Sequence, residues 1–400
     1  MSPLRFLFIS MIFFGAWGGW LLLGTTTWLR SDDASSRLGQ AVAELWGQPL
    51  VQPAPSFSVQ IPGTIQQRPL LPSKNRITVK LTLDYRQKGL IWYPTYLCDF
   101  KAEYAIHNPG HAAQKVRLHF PLPAQDATYD RFTVLFDGVA TPQSLHQREG
   151  VRELFELAPG ATRTFQVSYQ TRGLREWRYR FDPQVNRVQD LHIAVATNFT
   201  AVDFPPGSLA PMQKTVQEDA GMNLEWQAAD LITTQPVGIL MPERLNPGPL
   251  AARISFFAPV CLFFFYVLFT TLGIVRRVDI HPMHYLFVAA GFFAFHLLFS
   301  YLVDHVSLAW AFWLAAGVSV GLVTSYLAMA LGKSLPWWWL AAGQTFYLVL
   351  FSYSFFFIGI TGLIVTLGAI LTLALLMILT ARTDWNQVFY ARRQPVKATI

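Results

Sequence analysis

Long apolar runs limit what this chain can become. Between Ile254 and Thr380 the only Asp, Glu, Lys or Arg residues are Arg276, Arg277, Asp279, Asp304 and Lys333. They split the region into runs at 254–275, 283–303, 306–331 and 335–380. About 20 apolar residues in a helix cross the roughly 30 Å hydrocarbon core of a bilayer. The last run has 46 residues, too long for one helix. It predicts two, joined near Ser352–Thr361, where Ser354, Gly359 and Gly362 weaken helix continuity. A further run, Leu4–Leu23, carries only Arg5. It exceeds the 7–15 residues typical of a signal-peptide core, and no A-x-A site directly follows it, so it reads as an uncleaved anchor. The expected layout is an anchor at 1–28, a β-rich domain at 29–253, a five-helix bundle at 254–381 and a tail at 382–400.

Charge refines this layout. Of 400 residues, 52% are hydrophobic and 14% charged, against roughly 25% charged in an average soluble domain. The formal charge is +7. Taken alone, it would suggest a nucleic-acid partner. Most of it instead lies in short segments beside the apolar runs: Arg5, Arg276, Arg277, Lys333, Arg382, Arg392, Arg393 and Lys397, with Asp279 and Asp384. If six helices cross, these segments all fall on one side, and Asp304–His305 falls on the other. By the positive-inside rule both termini are cytoplasmic and 29–253 faces out. The expected partner is the bilayer, with no nucleic acid; a further membrane or envelope protein partner and the oligomeric state stay open.

The middle region alternates with period two at Arg76–Asp84, Lys115–Phe120 and Arg163–Tyr169, as strands with one face on a core do. Asn108-Pro-Gly110 and Ala158-Pro-Gly160 mark turns. The expectation is an antiparallel β-sandwich-like domain. Before it, Leu38, Val42 and Leu45 form one face of an amphipathic helix over Ser36–Trp46, and Gln48–Pro72 is an extended, Pro-rich linker or edge.

Candidate chemistry is sparse. His296, Ser300 and Asp304 stand four residues apart and share one helix face, with His305 next to Asp304. An ionisable residue at membrane depth is costly and usually faces protein or water. These four are the candidate functional polar residues, a polar line for proton or ligand coupling. The competing explanation is that Asp304 and His305 cap a tight turn while His296 bonds a neighbouring helix. Thr270, Thr271, Ser319, Thr324, Ser325, Gln344 and Thr345 suit interhelical hydrogen bonds, and Gly15/Gly19 and Gly317/Gly321 suit close helix packing. His107 and His111 flank a turn without a third ligand, and Leu331-Gly-Lys-Ser334 lacks the earlier glycine of a P-loop. Cys98 and Cys261 lie in different environments and are expected not to pair. No catalytic, cofactor or metal site is expected.

The segment Ile280–Gly291, IHPMHYLFVAAG, followed by Phe295–His305, FHLLFSYLVDH, resembles the CreD family of bacterial inner-membrane proteins. There a His-Pro…Tyr-Leu motif opens a helix ending in Ser-Glu-His; here Val303, Asp304 and His305 occupy that end. Leu379–Trp385, Ala43–Gln48, Phe204–Pro211 and Leu224–Gln227 are also similar to family segments. The resemblance implies a non-enzymatic inner-membrane protein contributing to cell-envelope integrity or stress tolerance, and supplies no catalytic residues. Two other classes stay open: a sensor or scaffold binding an envelope ligand or partner through the β domain, and a transporter or channel built from the bundle.

Overall fold

A computed structural model describes residues 3–60, 66–140, 145–146, 150–183, 185, 187–217, 220–332, 335–357, 359–381 and 383. The expected tail at 382–400, Thr383 apart, and the Lys333–Ser334 loop lie outside the described residues. The chain divides into two units, Met1–Ser36 with Leu245–Ile400, and Arg37–Arg244. The division differs from the expected boundaries at 28/29 and 253/254. Helix α1 (Pro3–Trp46) runs unbroken through the first of them, since nothing in Thr25–Arg37 interrupts a helix. The second shifts because α2 (Pro247–Val275) begins at Asn246–Pro247, before the apolar run, with proline in its first turn.

The unit 37–244 is β-rich. Its largest sheet has eight strands, in the order 213–216, 222–232, 187–197, 74–88, 91–107, 162–174, 130–136 and 139–140. The two longest form a hairpin through the two-residue turn Gly89–Leu90, where Gly89 has φ +62°. A five-stranded sheet (67–69, 56–60, 114–120, 150–157, 145–146) and a three-stranded sheet (50–53, 176–180, 237–240) share its core. Alternation works as expected: Ile77, Val79 and Leu81 are buried while Lys80 faces out.

Strand direction departs from the antiparallel expectation. Leu191–Thr197 pairs in parallel with Asn75–Leu81, and Leu50–Pro53 in parallel with Trp177–Arg180. Alternation reports which face is buried, but it is identical for a strand running either way. The amphipathic segment is also corrected. Val42 is buried and Leu38 packs with it against Tyr93 and Leu174, but Leu45 is exposed and Trp46 takes part instead.

Aromatic rings fill the shared core, with Phe100 stacked on Tyr169 at 4.9 Å and Tyr104 on Phe165 at 6.2 Å. Their hydroxyls meet protein partners: Tyr104 meets Tyr179 at 3.1 Å, and Tyr169 donates to Gln52 at 2.6 Å. Asn108 holds the Asn-Pro-Gly turn. Its fully buried amide donates to the carbonyls of Ala112, Leu157 and Ala158 and its oxygen accepts from Gly110. His107 meets Thr162 at 3.0 Å.

In the other unit, α3 (Pro282–Leu302), α4 (Leu308–Leu331), α5 (Trp337–Gln344), α6 (Phe351–Tyr353) and α7 (Thr361–Thr380) follow α2. Among the described residues five helices, α1, α2, α3, α4 and α7, are long and apolar enough to cross a membrane. The stretch 337–356 is helical but changes type, through a π-helical turn at Thr345–Leu350 and a 3₁₀ turn at Ser354–Phe356. The chain then breaks before α7, and Gly359 has φ +87°. Helices α3 and α4 approach closely at Gly291, where any Cβ would overlap Val323. Gly19 lies against the Phe293 ring, whereas Gly15, Gly317 and Gly321 face nothing within 4 Å, so those three do not pack helices of this chain together.

Asn108→Ala should destabilise the β-rich unit by about 2 kcal/mol, because the buried bonds from its amide to the Ala112, Leu157 and Ala158 carbonyls are lost. The denaturant midpoint of the full chain, followed by circular dichroism of the β signal, measures this. Cys98 and Cys261 are both buried and free. Burial, with Asp99 beside it, pushes the Cys98 thiol well up, so the reactive thiolate is scarce at pH 8. A maleimide should label neither cysteine at pH 8 until the protein is denatured, and both afterwards.

Candidate functional site

The candidate polar line lies on α3, and side chains of α1 meet it. Arg5 pairs with Asp279, Trp20 meets His296 with ring centroids 5.5 Å apart, and Arg30 pairs with Asp304 at 3.0 Å. Residue numbers rise together, so α1 and α3 run parallel. Contacts to α2 run the other way: Phe13 meets Phe263 and Tyr266, while Gly24 lies against Phe256. The buried or partly buried stripe of α1 (Ile9, Phe13, Ala16, Trp20, Leu23, Thr27) advances by alternating steps of four and three, the spacing that keeps one helical seam facing its neighbour.

Both ion pairs sit at the ends of this seam. Arg5 and Arg30 are 25 residues apart, as are Asp279 and Asp304. At 1.5 Å per residue that is about 37 Å along a helix, slightly more than the roughly 30 Å hydrocarbon core. Each pair can therefore remain at a wet interface, with no other Asp, Glu, Lys or Arg between Arg5 and Arg30 or between Asp279 and Asp304. Both are partly exposed, with Arg30 at 44% and Asp304 at 47%. Exposed pairs of this kind are worth about 0–1 kcal/mol. Arg30 does more than pair. The Asp304 amide turns to Tyr301 O, and Arg30 donates at 2.9 Å to Ser300 O, a last-turn carbonyl. Its guanidinium also lies 5.1 Å over the Tyr301 ring.

His296 and Ser300 are fully buried. Nδ1 of His296 lies 2.8 Å from the Phe292 carbonyl. A carbonyl only accepts, so Nδ1 carries the proton and Nε2 presents a lone pair. Nε2, the Ser300 hydroxyl and the Trp20 indole N–H are all buried without a protein partner. The structure thus joins His296, Ser300 and Asp304 to one seam. His305 is exposed in the turn after α3, with its amide bonded to Leu302 O, and is not drawn in.

Sequence reasoning missed Trp20 and Arg30. The equal 25-residue spacing of Arg5/Arg30 and Asp279/Asp304 was the available signal, but it becomes readable only once the two helices are known to be parallel.

Of the other polar groups expected to bond between helices, Thr270, Ser319 and Gln344 do so, whereas Thr271 and Ser325 donate to carbonyls of their own helix and Thr324 Oγ1 has no protein partner. Thr270 meets Tyr285 at 2.8 Å, Ser319 donates to Gly291 O at 2.7 Å, and Gln344 donates to Ser319 at 3.1 Å. His281 caps α3 by accepting from the Met283 amide, and His284 meets Tyr326 at 2.9 Å. The β-rich unit has a cleft of about 580 Å³ lined by Trp46, Gln48, Asp126, Tyr129, Gln170 and Arg172 among others. Arg86 and Arg172 lie 4.2 and 5.4 Å from the Trp46 ring centroid. Tyr129 donates to Ala124 O and accepts from its amide, and burial pushes its phenol up to about 12. Gln170 donates to Asp99 at 2.7 Å. Among the described residues, no three His, Cys, Asp or Glu side chains are placed to hold a metal.

A β-rich unit in one chain with several long apolar helices defines a membrane protein. The family described as inner membrane protein CreD matches over residues 190–386, from the 187–197 strand through α7. Over those residues, just under half of its length, the chain is similar to this CreD-like family. No curated protein matches it. Among solved structures, a candidate nutrient binding protein of Legionella pneumophila shares 9% identity over 66% of this chain and 97% of its own, with TM-score 0.33. An M1 zinc metallopeptidase from Deinococcus radiodurans shares 12% over 70% of this chain and 75% of its own, with TM-score 0.27. Likenesses this weak carry neither fold nor activity to this chain.

A double-mutant cycle on Arg30→Ala and Asp304→Ala should give a coupling of about 0.5–1 kcal/mol. Thermal unfolding of the full chain in detergent measures it, and strict additivity would show that the pair does not hold α1 to α3.

Proposed function

We propose that this protein spans the bacterial inner membrane six times, with both termini in the cytoplasm, and contributes to cell-envelope integrity without catalysing a reaction. The family match over residues 190–386 carries this reading. The excess of basic residues beside the apolar runs supports the orientation. So does the helix direction: α1 antiparallel to α2 and parallel to α3 is what an alternating in–out path requires. The stretch 337–356 supplies the sixth pass. A non-catalytic role suits polar groups committed to protein partners, such as Tyr129 on Ala124 and Gln170 on Asp99.

Deleting the gene should sensitise cells to detergents, cell-wall antibiotics and osmotic shock, and a plasmid copy should restore tolerance. Unchanged tolerance to all three would end this reading. His296, Ser300 and Asp304 carry any coupling within the helices. If His296→Ala and Asp304→Asn copies complement as well as the wild type, that part is abandoned and the envelope role stands.

The β-domain cleft favours a second reading, a scaffold or sensor that holds an envelope ligand or partner there. A membrane partner captured by the wild type and lost with Asp126→Trp would support it; one retained equally by both would not.

A further inference from the structure

Three buried polar atoms on α1 and α3 have no protein partner: Trp20 Nε1, His296 Nε2 and Ser300 Oγ. All three residues are fully buried. The Trp20 and His296 rings meet edge to face at 5.5 Å and 75°. Ser300 follows His296 by one helical turn, about 6 Å along α3 on the same face. Its own carbonyl is held by Arg30, so α1 and α3 are joined immediately beyond it.

The three groups are complementary. The Trp20 indole can only donate. The bond from His296 Nδ1 to Phe292 O leaves Nε2 as an acceptor. The Ser300 hydroxyl does either. A donor at Trp20 and an acceptor at His296 need a group between them that accepts from one and donates to the other. Water does both, and a buried water typically makes two to four such bonds. Immobilising one water costs less than leaving three buried polar groups unpaired. Aromatic rings flank the two side chains, Phe293 against Trp20 and Phe295 against His296.

We propose that Trp20, His296 and Ser300 form an internal hydration site in the α1–α3 seam, in which bound water accepts from Trp20 Nε1, donates to His296 Nε2 and bonds the Ser300 hydroxyl. Ser300 stands one turn from His296 and one turn from Asp304, so this water links the buried imidazole to the Arg30–Asp304 end of the seam. The site rests on the geometry of these two helices and not on the envelope role.

The test uses the full chain in lipid nanodiscs, labelled with ¹⁵N-tryptophan and ¹⁵N-histidine, with water as the probe. The Trp20 indole signal is identified by its loss in Trp20→Phe. Trp226 is the internal reference, being buried with its indole donating to Leu209 O at 3.0 Å. Water-to-indole magnetisation transfer is expected at Trp20 and not at Trp226, with indole exchange about tenfold faster at Trp20. The Nε2 shift of His296, assigned through His296→Gln, is expected at the value of an unprotonated, hydrogen-bonded nitrogen. It serves as a second readout if Trp20→Phe fails to fold. A Trp20 indole silent to water and exchanging as slowly as Trp226, or a His296 Nε2 with the shift of a bare lone pair, overturns the proposal.

Discussion

A charge cannot rest cheaply in hydrocarbon, and this one restriction accounts for the places of Arg5, Asp279, Arg30 and Asp304. Each acidic residue stands just outside α3, each basic partner stands on α1, and the two spacings are equal. A shift of α1 along α3 by even one turn would break both pairs together and carry a charge toward the apolar zone. The pairs are individually weak because water reaches them. Their contribution is register: they define where along α3 the α1 stripe rests, and so bring Trp20 to His296 and Arg30 to the Ser300 carbonyl. The buried polar groups between them depend on that register.

The helices satisfy their backbones internally, as hydrocarbon demands, and use polar side chains sparingly where they meet. Ser319 reaching Gly291 O, Gln344 reaching Ser319, and Tyr285 meeting Thr270 join α2, α3, α4 and α5 through single bonds. Gly291 permits the closest of these approaches, between α3 and α4. The π-helical turn begins directly after Gln344. Such turns frequently mark functional positions in helices, and here the turn lies beside a buried amide whose oxygen has no protein partner.

The β-rich unit follows a different rule. Three sheets close over one aromatic core, and buried hydroxyls and amides there meet protein partners, Gln52 with Tyr169, Tyr104 with Tyr179 and Asn108 with three carbonyls, whereas Ser208 Oγ and Gln114 Oε1 have none. Burial holds these phenols neutral, pushing Tyr104, Tyr169 and Tyr179 upward. One open space of this unit is the cleft beside Trp46, where Arg86 and Arg172 already occupy the indole ring.

The amino-acid sequence by itself determined the apolar helices, the alternating strands, the Asn108 turn and the polar line on α3, because hydrophobic period and turn chemistry are local properties. His296, Ser300 and Asp304 were legible for the same reason: a fixed helical pitch puts residues four apart on one face. Tertiary structure alone decided their neighbours. Trp20 and Arg30 are 270 or more residues from their partners in sequence, and no local pattern encodes which helix lies alongside α3 or in which direction. Strand direction was hidden likewise, since parallel and antiparallel strands bury the same alternate residues. Leu45 points outward although its spacing suits the buried face, because the surface that α1 meets there is shaped by Ile91, Tyr93 and Leu174 from distant strands. Periodicity states which face of an element must be covered; only the packed chain states what covers it.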